Sequence, residues 1–207
     1  MRRETLIKII RLFRKNLDKG MTMLEIARTL KIGYRPAYNH LTAMHKEGII
    51  TINEVGRAKQ CFINLKSEKA RHFLQEADIA RKEELFKSNV KLKGISENLM
   101  LNMENHLQTG IRSIILFGSY ARGGAAKDSD VDLLFIIDSI QNKQLRAEIE
   151  RQCAGFRYSH SIKVSPVIAD IAEFRKMLAS KGLNIGKEAK GYGLPLYGLE
   201  LFWEMAA

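Results

Sequence analysis

Two groups of residues in this chain have the types and spacing to do chemistry together. They lie in one stretch, IILFGSYARGGAAKDSDVDLLFII, residues 114–137. Ile114 to Phe117 is short, branched and closed by Gly118, the pattern of a buried strand that stops at a sharp turn. Gly118 lets backbone approach a ligand closely, and Ser119 is placed to cap a helix begun by Tyr120, Ala121 and Arg122. The free N–H groups of such a helix start favour an anion. Asp130 and Asp132 stand two apart on the following strand, so both carboxylates leave the same face while Val131 and Leu133 turn to the core. Adjacent carboxylates repel, and a divalent cation relieves the repulsion. A phosphate seat beside a carboxylate pair points to nucleotide chemistry that depends on Mg²⁺ or Mn²⁺. The plainer alternative is a capped helix followed by a strand whose aspartates face solvent.

At these residues the chain resembles the nucleotidyltransferase superfamily that includes DNA polymerase beta, and most closely its minimal, small-domain members. The shared pattern is a Gly-Ser pair, a spacer and Asp-x-Asp, here Gly118-Ser119 and Asp130-Val131-Asp132 in the phrases FGSYARG and SDVDLL. The resemblance implies transfer of a nucleoside monophosphate from a nucleoside triphosphate to an acceptor that the sequence does not identify. It makes Asp130 and Asp132 the catalytic metal ligands. Gly118 and Ser119 would hold the β- and γ-phosphates, with Arg122 or Lys127 helping to neutralise them. Arg122 reads equally as a solvated helix residue, and Ser129 as a loop residue or a donor behind the aspartates. Active members place a third carboxylate on the strand beside Asp-x-Asp. Here that strand is IKVSPVIAD, and the position falls to Ser165 or Lys163. Pro166 makes it an edge or irregular strand, and Asp170 caps the helix that follows. Two further readings stand, the first supported by the missing carboxylate and the second selected by no feature of the sequence. One is a transcriptional regulator whose nucleotidyltransferase-like domain senses a nucleotide without turnover. The other is an antitoxin-like enzyme that modifies a partner protein.

Composition adds a second partner. The formal charge is +11, and it is uneven: residues 1–91 carry 20 Lys and Arg against 10 Asp and Glu, residues 92–207 carry 14 against 13. An excess confined to one half argues for a nucleic-acid surface there. Cys61 and Cys153 fit no metal spacing, which suits a reducing compartment. Charges interrupt the N-terminal apolar positions, and no run reaches membrane-spanning length. A soluble, cytoplasmic protein without membrane contact is expected.

The elements that must position these groups follow from periodicity. Leu6, Ile9, Ile10, Phe13 and Leu17 mark one helix, and Thr22 with Glu25 forms a capping box that starts a second. A third runs from about Arg35 to Lys46, with Pro36 in its first turn and Ala37, Leu41 and Met44 inward. ITINEVGRAKQCFINL then supplies two extended runs around Gly56. From about Thr5 to Leu65 this succession resembles winged helix-turn-helix DNA-binding domains. The resemblance puts the third helix in the major groove of double-stranded DNA, with Arg35, Tyr38, Asn39 and Thr42 as contacts. Arg57 and Lys59 would meet phosphates at the wing tip. Dimerisation or docking is the alternative role for such a module. Ser67 to Lys91 reads as a connecting helix, where Phe73 and Leu74 seed either a homodimer contact or local core. Leu92, Ile95, Leu99, Met103 and Leu107 mark the next helix. Strands are expected at Arg112–Phe117, Val131–Ile137 and Ser161–Ala169, and helices at Gln141–Ala154 and Ile171–Ala179. The tail PLYGLELFWEM reads as a turn and a last helix, with Phe202 and Trp203 as packing anchors. The expected fold class is α+β: a mostly α winged helix-turn-helix over 1–66, a connector over 67–91 and a small mixed α/β nucleotidyltransferase-like domain over 92–207.

Overall fold

The computed structural model describes residues 3–17, 19–56, 58–102, 110–126 and 128–207. The fold is α+β, and the chain divides into two compact units, Met1–Ile79 with Ala207, and Ala80–Ala206. Among the described residues no helix is long and apolar enough to cross a membrane.

The first unit holds α1 (Arg3–Lys15), β1 (Met21–Thr22), α2 (Met23–Thr29), α3 (Tyr34–Lys46), β2 (Ile50–Val55), β3 (Ala58–Ile63) and the start of α4 (Glu68–Ser88). Leu6, Ile9, Ile10 and Phe13 bury one stripe of α1. The capping box starts α2 as expected: Glu25 N–H donates to Thr22 Oγ1 at 3.2 Å, and Thr22 N–H donates to Glu25 Oε2 at 2.7 Å. Ala37, Leu41 and Met44 form the buried stripe of α3. β2 and β3 make an antiparallel hairpin, and β1 joins it in the order β1-β3-β2. Leu74 is fully buried and belongs to the core, so it offers no surface for a second copy. Arg14 Nε donates to Asp78 Oδ1 at 3.1 Å, and both side chains are buried.

The second unit runs α5 (Val90–Asn102), β4 (Ile111–Phe117), α6 (Gly118–Arg122), β5 (Val131–Ile137), α7 (Lys143–His160), β6 (Val164–Asp170), α8 (Ile171–Ala179), α9 (Ile185–Tyr192), β7 (Leu194–Tyr197) and α10 (Leu199–Met205). Its sheet has the order β6-β5-β4-β7, with β5 and β6 parallel and the other pairs antiparallel. Val131, Leu133, Phe135 and Ile137 share a core with Leu92, Ile95 and Leu99 of α5 and with Ile149, Cys153 and Phe156 of α7. Leu134 and Ile136 alternate to the opposite face and are equally buried. There α8, α9 and α10 cover the sheet, with Phe174, Phe202 and Trp203 packed ring to ring.

Several boundaries differ from the sequence reading. β6 starts at Val164 rather than Ser161, because α7 continues to His160 behind the buried Phe156 and ends on Ser161 in the left-handed region. Leu194–Tyr197 is a strand on β4, not a turn; Pro195 hides it, since proline within a run argues against a strand. α9 carries no clear apolar period, and two glycines weaken its helical signal. Pro166 does lie on an edge strand, and Asp170 caps α8 in a box with Glu173. Met103 and Leu107 lie outside the described residues.

The buried Arg14–Asp78 pair yields a test by denaturant unfolding. Asp78→Ala removes a partner from a desolvated guanidinium and is expected to cost about 3 kcal/mol. Arg14→Met combined with Asp78→Leu is expected to recover most of that loss.

Candidate active site

The β4–β5 ladder ends on the pair Phe117 and Asp132, so the turn after Phe117 meets the start of β5. Gly118 makes that turn with φ +68°, and a Cβ on it would lie 2.1 Å from Asp132 Oδ2 and 3.0 Å from its Cγ. Any side chain at 118 would displace the carboxylate as well as strain the backbone. Because the chain reverses at Gly118 itself, α6 begins there. Its N-cap is Phe117, with no side-chain cap bond. Ser119 is therefore a half-buried residue of the first turn rather than the cap expected from sequence. Gly123, at φ +76°, closes α6, and Gly124 N–H donates to Ser119 O at 3.0 Å. In the loop to β5, Ser129 Oγ accepts from Ala126 N–H at 2.8 Å, a loop-shaping role. Lys127 lies outside the described residues.

Parallel pairing sets the other side of the site. Asp132 stands opposite Ser165, and Val131 N–H donates to Lys163 O at 2.8 Å. Side chains in register on neighbouring strands share a face, which puts Asp130, Asp132, Lys163 and Ser165 together. The Lys163 ammonium ion-pairs with Asp130 Oδ2, and Ser165 Oγ donates to the same oxygen at 3.3 Å. Both positions left open for a third carboxylate thus sit beside the aspartates, and neither is acidic.

Two contributors escape sequence reasoning. Glu188 of α9 bears electrostatically on Asp132, and its Oε1 pairs with Arg122 Nη1 at 3.1 Å. Arg81 of α4 donates to Tyr192 O at 2.8 Å, to Gly193 O at 3.1 Å and to Ala121 O. One guanidinium so ties the end of α6 to the end of α9, the helices that carry Arg122 and Glu188. No local pattern marks either residue, since both act between segments far apart in the chain. Burial first, then the charges of Asp130 and Glu188, push the Asp132 carboxyl above its ordinary range; Lys163 and Arg122 pull the other way.

Asp130 and Asp132 offer oxygen ligands on one face, the donors that hard divalent ions take. Among the described residues no three His, Cys, Asp or Glu stand close enough to share an ion. The pair fits the mode in which Mg²⁺ takes one or two carboxylates and completes its shell with substrate phosphates and water.

In the first unit, Arg35, Tyr38 and Asn39 are exposed and Thr42 is half-buried, all on α3 beside the inward stripe. Lys59 Nζ lies 5.9 Å from the centroid of the Tyr38 ring, joining the hairpin to this helix. Tyr34, 52% exposed, extends the same patch at 6.4 Å between ring centroids, and its signal in the sequence was only an aromatic at the helix start. Arg57 lies outside the described residues.

The mixed sheet thus presses a glycine turn on an Asp-x-Asp pair. Comparison with known proteins agrees: residues 102–183 match the family described as "Nucleotidyltransferase domain". A Methanocaldococcus jannaschii protein named "Putative protein adenylyltransferase MJ1305" is 32% identical over 117 residues, 55% of this chain and 76% of that protein. A second from the same organism, "Putative protein adenylyltransferase MJ0141", is 27% identical over 88 residues, 42% of this chain and 81% of its own length. No solved structure matches the chain. The chain belongs to the nucleotidyltransferase domain family.

Asp132 is held at a cost to the fold. A carboxyl that ionises above its ordinary 3.8 destabilises the folded chain once charged. Asp132→Asn is therefore expected to raise the melting temperature at neutral pH. Melting curves across pH should show the gain vanishing below the ordinary carboxylate range, where Asp132 is protonated in both states.

Proposed function

We propose that the chain transfers a nucleoside monophosphate from a nucleoside triphosphate to an acceptor hydroxyl, with Mg²⁺ or Mn²⁺ at Asp130 and Asp132. The relatives' names favour adenylate as the group and a protein as the acceptor. The observation that carries the reading is the contact of the Gly118 backbone with the Asp132 carboxylate, which brings a phosphate seat and a metal ligand to one point.

In the reaction the acceptor oxygen bonds to the α-phosphorus, the bond to the β-phosphate oxygen breaks, and pyrophosphate leaves. A divalent ion, when bound, screens the phosphate charge. The backbone N–H groups at Gly118 and Ser119 hold the β- and γ-phosphate oxygens. Arg122, set at the end of α6 and held by Glu188, adds positive charge around the leaving group; the sequence offers Lys127 for the same role. Arg81 is a positioning residue: it keeps α6 and α9 together so that Arg122 and Glu188 stay beside the aspartates.

The exposed face of α3 supports a second activity in the first unit. Arg35, Tyr38, Asn39 and Thr42, with Lys59 of the hairpin, form a duplex-binding surface of the winged-helix kind, to which the sequence adds Arg57. DNA binding would deliver the transferase to a locus, or make the second unit the nucleotide-responsive half of a regulator.

Incubation with α-labelled ATP, Mn²⁺ and a cell lysate is expected to label a protein acceptor. The Asp130→Ala, Asp132→Ala double variant should lose at least about 100-fold of that label; undiminished labelling would sink the assignment. For the first unit, titration of the full chain with duplex DNA should show affinity that falls steeply with salt. Arg35→Ala with Asn39→Ala should weaken it about tenfold or more, and a salt-independent affinity would exclude the duplex role.

A further inference from the structure

The face that carries the aspartates also carries a cation of the chain's own. Lys163 is fixed there by register: its carbonyl accepts from Val131 N–H, so its side chain lies beside Asp130. The ammonium pairs with Asp130 Oδ2, and Ser165 donates to that same oxygen. One oxygen of Asp130 thus has two protein donors before any ligand arrives. Among the described residues Asp132 makes no such pair; its surroundings are the Gly118 backbone, the Asp130 and Glu188 charges, and the fields of Lys163 and Arg122. Glu188 is held by Arg122. The net charge of Asp130, Asp132 and Lys163 together is −1. Two divalent ions would bring +4 to that group and set one of them against the ammonium, and among the described residues no third carboxylate is grouped with the pair to share it.

We propose that this site takes a single divalent cation, held by Asp132 and the second oxygen of Asp130, and that Lys163 supplies the second positive charge that another metal ion would otherwise bring. The inference rests on the metal–nucleotide reading above and concerns how that site is charged. Ser165 keeps the arrangement in place by bonding the oxygen that Lys163 neutralises. Replacing both residues should restore a place for a second ion: Lys163→Met removes the cation at similar length, and Ser165→Asp puts a carboxylate opposite Asp132.

The test is a count of bound Mn²⁺ per full-length chain, from the electron paramagnetic resonance of free Mn²⁺, with a non-transferable ATP analogue at saturation. Circular dichroism melting confirms that each variant is folded. The wild-type chain is expected to bind one ion, and Lys163→Met with Ser165→Asp two. Lys163→Met alone should bind its single ion about tenfold more tightly, because Asp130 is released from its pair. Two ions on the wild-type chain would overturn the single-ion site and leave the transferase reading standing. One ion on both the wild-type chain and the double variant would remove Lys163 and Ser165 as the residues that set the number. No ion on any of the chains would overturn the metal–nucleotide reading together with this inference.

Discussion

The contact between the Gly118 backbone and the Asp132 carboxylate is the constraint on which the second unit turns. It exists because β4 and β5 pair in one register, with Phe117 opposite Asp132. A slip of one residue would carry the aspartates to the face packed by α5 and α7 and put Val131 and Leu133 in the half-buried places they leave. Burial of both sheet faces excludes that slip. Packing of apolar residues far from the site therefore sets where the carboxylates stand, and the absent side chain at 118 lets backbone and carboxylate come together.

Around that contact the charges are arranged in pairs. Asp130 is met by Lys163 and Glu188 by Arg122, so Asp132 is the acid whose ionisation the surroundings oppose most. Such pairing lets three acids crowd a small region, because two of the three carboxylates have a neighbouring cation. It also gives the site a direction: the uncompensated negative charge lies next to the glycine turn rather than toward β6.

Much of this was legible in the sequence where the signal is local. Strand β5 was readable to the residue because its apolar run is interrupted only by Asp132, and α8 because Asp170 announces a helix start. Pro166 marked an edge strand by what it lacks. What stayed hidden depends on pairing between distant segments. Lys163 and Ser165 could be named as rivals for one position, but only the parallel register shows that both occupy the aspartate face. Glu188 and Arg81 act through tertiary contacts that no spacing encodes. β7 was masked by Pro195, and Ser119 is not the cap because the reversal at Gly118 starts α6 two residues earlier than helix-cap preferences suggest.

Trp203 is the chain's single tryptophan, and it lies on α10 in the second unit, fully buried and edge-on to Phe202. Its emission is therefore an optical signal from that unit alone. The first unit, whose aromatics include the exposed Tyr34 and Tyr38, is silent when only tryptophan is excited. Loosening of α10 from the sheet, whether by heat, denaturant or a ligand, would shift the tryptophan spectrum to the red without contamination from the other half of the molecule. Nature has thus left the transferase unit with its own built-in fluorophore.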